Sequence, residues 1–178
     1  MFDFLFAVTE WLRTTALLDF AFWITETPLS LFMVENFWMV PAAQVIHILA
    51  IAAAFGATLM LTLRTLGVSG AGSTIEETSA RYVPWIWWGL LVIVISGLLM
   101  LTAEPLRNMI NAVFWFKMIF LVVTILITLG FQKRIRAAAA GVGATWVAGG
   151  GTKTAAIAIL VLWSLIMVCG RWIAYVPV

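Results

Sequence analysis

Residues 42–63 read AAQVIHILAIAAAFGATLMLTL, a run with no Asp, Glu, Lys or Arg. The hydrocarbon core of a bilayer takes about 20 helical residues to cross. Backbone N–H and C=O groups in lipid must be bonded within the segment, so this stretch is predicted to be a transmembrane helix. It also carries the only histidine in the chain, His47. An ionisable ring at membrane depth is costly and usually faces a helix interface or a cavity.

Three further stretches are nearly as apolar: residues 83–103, 110–131 and 154–175, the last two carrying one basic residue each, Lys117 and Arg171. The whole chain agrees. Of its 178 residues 64% are hydrophobic and 10% charged, and the mean hydropathy is +1.11. Soluble domains are nearer half apolar and a quarter charged. The expected class is all-α: an integral membrane four-helix bundle over residues 39–178, with the lipid bilayer as its first partner. A net charge of +2 gives no reason to expect nucleic acid. The single Cys169 permits neither an intrachain disulfide nor a CxxC motif. MFDFLFAVTEWLR at the N-terminus has an acidic Asp3 and no basic n-region, which predicts no cleavable signal peptide.

The connections carry start and stop signals. Gly67, Gly70 and Gly72 follow the first span. Ser73 with Glu76, and Thr74 with Glu77, both fit a capping box, so a helix is predicted to restart there and feed the second span. Glu104-Pro105 ends that span, because the residue before proline disfavours helix. Gly149 to Gly151 precede Thr152, the expected N-cap of the fourth span.

Residues 1–38 are a separate amphipathic segment. Asp3, Glu10, Arg13, Asp19, Glu26 and Glu35 interrupt every apolar window. One or two interfacial helices are expected, the second opening at Thr27-Pro28. The competing reading is a fifth span over about residues 4–24, which would bury Glu10 and Arg13 at several kcal/mol if unpaired.

Basic residues set the orientation. The first and third connections hold six: Arg64, Arg81, Lys133, Arg134, Arg136 and Lys153. The other side holds Arg13 and Arg107, with Arg171 just inside the membrane. The positive-inside rule then predicts an inner (cytoplasmic) membrane protein with both termini on the non-cytoplasmic side. Trp85, Trp87 and Trp88 would form an aromatic belt at the cytoplasmic interface.

Depth singles out five side chains. At 1.5 Å per residue, His47 lies roughly 9 Å past Pro41, and Gln44 is one turn above it. Lys117 is roughly 10 Å into the third span, and Arg171 roughly 9 Å before Pro177. Glu104 closes the second span on the same side. The bland reading pairs Glu104 with Lys117 or Arg171, and Gln44 with His47. The functional reading is a ligand site at Gln44, His47, Glu104, Lys117 and Arg171, where surplus positive charge favours an anion or a polarisable carbonyl.

Three ligands suit that site differently. Haem b could use His47 as an axial ligand and the cations for its propionates, but a second histidine is missing from the chain. Copper would take His47 with Met100, Met118 and Cys169, against the repulsion of nearby cations. A quinone needs only donors for its carbonyls, with Phe55, Phe114, Trp115 and Trp172 to pack the ring. Sequence signatures of the common hydrolases and phosphate-loop enzymes are missing, so catalytic activity of its own is not expected.

The stretches VENFWMVPAAQVIHILAIAAAFGATLMLTLRTLG, GLLMLTAEPLRNMINAVFWFKM and CGRWIAY resemble a small bacterial family of four-span integral membrane proteins of unassigned function. The matching motifs are W-x-x-P at Trp38 and Pro41, His47, L-R-x-L-G ending at Gly67, N-x-x-F-x-x-K at Asn111, Phe114 and Lys117, and G-R-x-I-A-Y at Gly170 to Tyr175. More distantly, the layout is similar to copper-resistance D proteins and small four-helix membrane cytochromes, though their additional histidines are missing here. The expected role is a membrane-embedded accessory or anchor subunit that binds a quinone or haem-like redox ligand and supports electron transfer. The alternative is a structural subunit, assembling as a homo-oligomer or with a membrane complex partner, without a cofactor.

Overall fold

The structure is a computed structural model and describes residues 2–70, 72–142 and 147–176. Among them the regular elements are all helices: α1 Phe2–Arg13, α2 Ala16–Thr25, α3 Pro28–Glu35, α4 Met39–Leu66, α5 Ile75–Ala103, α6 Pro105–Met109, α7 Ala112–Val142 and α8 Gly150–Trp172. Four of these, α4, α5, α7 and α8, are long and apolar enough to cross a membrane. The all-α class expected from hydropathy is therefore observed.

The local signals explain most boundaries. Thr74 and Glu77 form a reciprocal capping box, with Glu77 accepting from the Thr74 N–H at 2.9 Å and Thr74 Oγ1 from the Glu77 N–H at 3.1 Å. Gly67 sits at φ 77°, a left-handed conformation that favours glycine. It lets the Val68 and Gly67 N–H groups reach the Leu63 and Arg64 carbonyls at 3.0 and 3.1 Å, closing α4 in a Schellman motif. Thr27 caps α3 by accepting from the Ser30 N–H, and Pro28 takes the first helical position.

Three expectations need correction. The N-terminal segment forms three short helices rather than one or two. Thr14 and Thr15 interrupt any continuous helix over 4–24, because Thr15 turns extended and caps α2. The bent pair α2 and α3, at 62°, is the combination that reaches span length there. α8 starts at Gly150, so Thr152 lies inside the helix and its N–H bonds the Gly149 carbonyl at 3.0 Å. Trp85 and Trp88 face outward, but Trp87 turns in and donates to Gln132 Oε1 at 3.1 Å. Pro177, the marker used for the depth of Arg171, lies outside the described residues.

The chain divides into two compact units. The first comprises Met1–Leu49, Val92–Ile119 and Ile166–Val178. Its apolar cluster joins Ala21 and Ile24 of α2 to Met109 of α6, with Leu17, Leu101 and Leu106 packed against it. Phe4 meets Phe116 with ring centroids 6.4 Å apart. α1 and α2 thus pack on the rest of this unit instead of standing free.

The second unit comprises Ala50–Leu91 and Phe120–Leu165. Here α4 and α5 approach closely. A Cβ added at Gly89 would lie 2.9 Å from Ala54 Cβ and 3.1 Å from the Ala50 carbonyl oxygen. The threonines turn inward on the same logic: Thr58 donates to the Ala54 carbonyl, Thr65 to Leu61, and Thr124 to Phe120, each at 2.7–2.8 Å. Their hydroxyls are satisfied within their own helices, as the absence of water in lipid requires.

Gly89→Ala is expected to destabilise the protein by about 1–3 kcal/mol, because neither Ala54 Cβ nor a backbone oxygen can move aside without parting the helices. Gly56→Ala, where nothing lies within 4 Å, is expected to be neutral or mildly stabilising. Thermal unfolding of both variants in one mild detergent compares them.

A candidate site at His47

His47 is half-buried on α4, within the first unit. Its Nδ1 lies 2.8 Å from Ser96 Oγ on α5. Ser96 is 3% exposed and its Oγ lies 2.6 Å from the Val92 carbonyl one turn back. A serine hydroxyl has one proton. With that proton committed to the Val92 carbonyl, His47 Nδ1–H donates to Ser96 Oγ, and Nε2 presents a lone pair. Gly97 clears the other side of the ring: a Cβ there would be 3.4 Å from His47 Cε1. A short turn of α5 thus fixes both the orientation and the tautomer of the ring.

Lys117 is the charged residue that acts electrostatically on His47. It is half-buried on α7, close enough to His47 and to Cys169 of α8 for their charges to interact. Its Nζ lies 5.1 Å over the Phe114 ring. Among the described residues the ion pairs are Glu10–Arg13 and Glu104–Arg107, so the expected pairing of Lys117 with Glu104 is not made. His47 and Ser96 form the polar core of the site; Lys117 lies within electrostatic reach of His47, and Cys169 within reach of Lys117.

The other three expected members point elsewhere. Gln44 is exposed and makes no bond to His47. Glu104 lies at the break between α5 and α6 and holds Arg107 Nη1 at 2.9 Å. Arg171 is exposed and engages Tyr175, donating to its hydroxyl at 2.7 Å with the guanidinium 5.1 Å from the ring centroid. Rise per residue predicts one depth for these residues, but depth does not decide which way each side chain faces.

Asn111 was noted in the sequence only as part of a motif. It is fully buried, and Oδ1 accepts from the Val113 N–H at 2.9 Å, capping α7. Its Nδ2 donates to the Ile173 carbonyl at 3.3 Å, and Arg107 donates to the Ala174 carbonyl at 3.3 Å. The N-x-x-F-x-x-K and G-R-x-I-A-Y motifs therefore meet in space. A polar residue just before an apolar helix is the sequence signal for the cap; its second bond was not readable. No group of three His, Cys, Asp and Glu side chains converges on a metal position among the described residues.

These features define a small polytopic helical membrane protein with a histidine and a lysine placed together inside its spans. The chain belongs to a family of unknown function, DUF6644, which matches residues 22–176. That match begins within α2 and takes in all four long helices. No match is found among curated proteins or among solved structures.

Because the chain has one histidine, ¹⁵N-histidine labelling gives one pair of ring resonances. At a pH where the ring is neutral, Nδ1 is expected in the protonated range and Nε2 in the unprotonated range. Ser96→Ala should collapse that preference. The reverse pattern in the unsubstituted protein would show that Ser96 donates to His47.

Proposed function

We propose that the protein is an accessory or anchor subunit that holds a quinone-type redox ligand at His47 and supports an electron-transfer partner. The observation that carries this reading is the ring of His47, tied through Nδ1 to Ser96 and leaving Nε2 available beside the Lys117 ammonium. A quinone carbonyl is an acceptor and suits Lys117; a quinol hydroxyl is a donor and suits His47 Nε2. The outward apolar side chains flanking His47, Ile46 and Ile48, give an amphiphile access from the lipid phase.

A haem-like ligand fits the same residues less fully. A histidine that ligates iron typically donates its other N–H to a nearby acceptor, which Nδ1 does here. The single histidine still leaves the second axial position to a sulfur, to Lys117 or to an open site. Likeness to copper-resistance D proteins and four-helix cytochromes belongs with this haem variant. Copper has the weakest case, since Lys117 stands beside His47. Gln44, Glu104 and Arg171 are left out of this proposal: Gln44 is exposed, Glu104 holds Arg107, and Arg171 holds Tyr175. The site is placed toward the non-cytoplasmic face of the inner membrane by the basic-residue asymmetry alone.

Protein purified in mild detergent is expected to release about one quinone per chain on solvent extraction, as a single-site holder requires. His47→Ala and Lys117→Ala should lower that yield more than they lower the unfolding temperature. A colourless preparation without stoichiometric quinone would sink the redox reading and leave the structural subunit. A Soret band lost in His47→Ala would replace quinone by haem.

Orientation has its own check. In a Cys169→Ser background, Phe37→Cys is expected to react with an impermeant thiol reagent added to intact cells. Arg136→Cys should not react. Phe37 is 88% exposed, so a thiol at this position is within reach of the reagent. The opposite pattern would invert the topology.

A further inference from the structure

The second unit contains a cleft that the redox proposal does not use. It has a volume of about 460 Å³ and lies where α4 ends and α5 begins. Two cations, Arg64 and Arg81, line it with one carboxylate, Glu77. Glu77 is occupied at the capping box by the Thr74 N–H. Neither arginine is in an ion pair among the described residues.

Arg64 is built in rather than merely present. Its Nε donates to the Ser73 carbonyl at 2.8 Å, and the residue is half-buried. Its stem rests on Gly70, where an added Cβ would be 3.0 Å from Arg64 Cδ. Gly70 is at φ 78°, so a side chain there would be disfavoured twice. Nε is thus committed to the backbone, while the two terminal nitrogens make no other hydrogen bond among the described residues. A guanidinium fork fixed in this way, with its outer donors available, is the arrangement that binds phosphate oxygens in a bidentate fashion. Arg81 adds a second, exposed cation on the same cleft.

We propose that this cleft binds a phosphate group, with Arg64 as the fixed contact and Arg81 as the mobile one. The walls favour a phosphate carried by an amphiphile. Ser69, Ser73 and Thr78 add polar lining, while Met60, one turn before Arg64 on the apolar span, and Tyr82 add apolar surface, so a polar head and the start of an acyl chain both find matching surface. Basic pockets at the ends of transmembrane helices hold anionic lipid headgroups by this chemistry. A soluble phosphate-bearing solute would present the same oxygens, and the test must separate the two.

The full chain in detergent is titrated with short-chain phosphatidylglycerol, with phosphatidylcholine, and with inorganic phosphate against chloride at matched ionic strength, reading the unfolding temperature. Stabilisation by phosphatidylglycerol but not phosphatidylcholine supports the cleft with a lipid as source. Stabilisation by inorganic phosphate supports it with a soluble source. Arg64→Gln and Arg81→Gln should each weaken the stabilising titration about tenfold or more, the scale of one charged hydrogen bond. Arg81 is exposed and makes no hydrogen bond among the described residues, so Arg81→Gln decides the matter if Arg64→Gln does not fold. No stabilisation by any phosphate compound overturns the proposal. So does stabilisation that survives unchanged in Arg81→Gln and in any folded Arg64→Gln protein.

Discussion

The structure depends on how closely α4 and α5 approach. Lipid removes the hydrophobic drive between helices, so association rests on packing contact and on polar groups that find partners. In the second unit that contact is made by Gly89 against Ala50 and Ala54, at a separation that leaves no room for a Cβ. In the first unit the same two helices are joined by the 2.8 Å bond between His47 and Ser96. A bulkier residue at Ser96 or Gly97 would displace the ring. The polar site is thus a by-product of small side chains on α5, and the alanine-rich stretch around His47 is its counterpart on α4.

The spans and many caps were legible because they rest on local chemistry. Thr74 and Glu77, Thr27 and Pro28, and Gly67 each act within one turn of the chain, and each does what its residue type predicts. The site was legible only in part. Depth along a helix follows from rise per residue, but the direction of a side chain depends on packing. Glu104 shows the difference. It closes α5 as expected, yet the break at Pro105 starts α6, and Arg107 three residues on takes its carboxylate. Neighbours in sequence reach a charge before distant helices do. Ser96 is one of several small polar residues along the spans, and no periodicity names the partner of a histidine.

Gln132 was hidden for another reason. It precedes the run Lys133, Arg134, Ile135, Arg136, so it reads as the polar end of a span. In the structure it is buried, accepts from Trp87 through Oε1, and leaves Nε2 without a partner. α7 continues to Val142, which carries Gln132 into the helix interior. Basic residues mark where a span meets water, but they do not mark where its helix stops. The two arginines of the α4–α5 cleft follow the same rule: their charge predicts orientation, but the cleft they line depends on how the chain turns at Gly70.

The motifs that relate this chain to its family divide into two kinds. Asn111, Ile173 and Ala174 are accounted for by a lock in which Asn111 before α7 and Arg107 of α6 hold the carbonyls just past α8, and Arg171 by Tyr175 one turn away. Those residues need no ligand to explain them. Lys117 is different. A lysine at a helix centre in lipid costs about 3 kcal/mol on insertion scales, while a cation over an aromatic ring returns about 0.5–2 kcal/mol. Its ammonium leans toward the α7 N-terminus over Phe114, which reduces the first figure by bringing charge nearer water. The residue nevertheless stays half-buried. The difference left over is about the size of one hydrogen bond to a charged group. A single acceptor beside Lys117, such as a carbonyl oxygen, would close it.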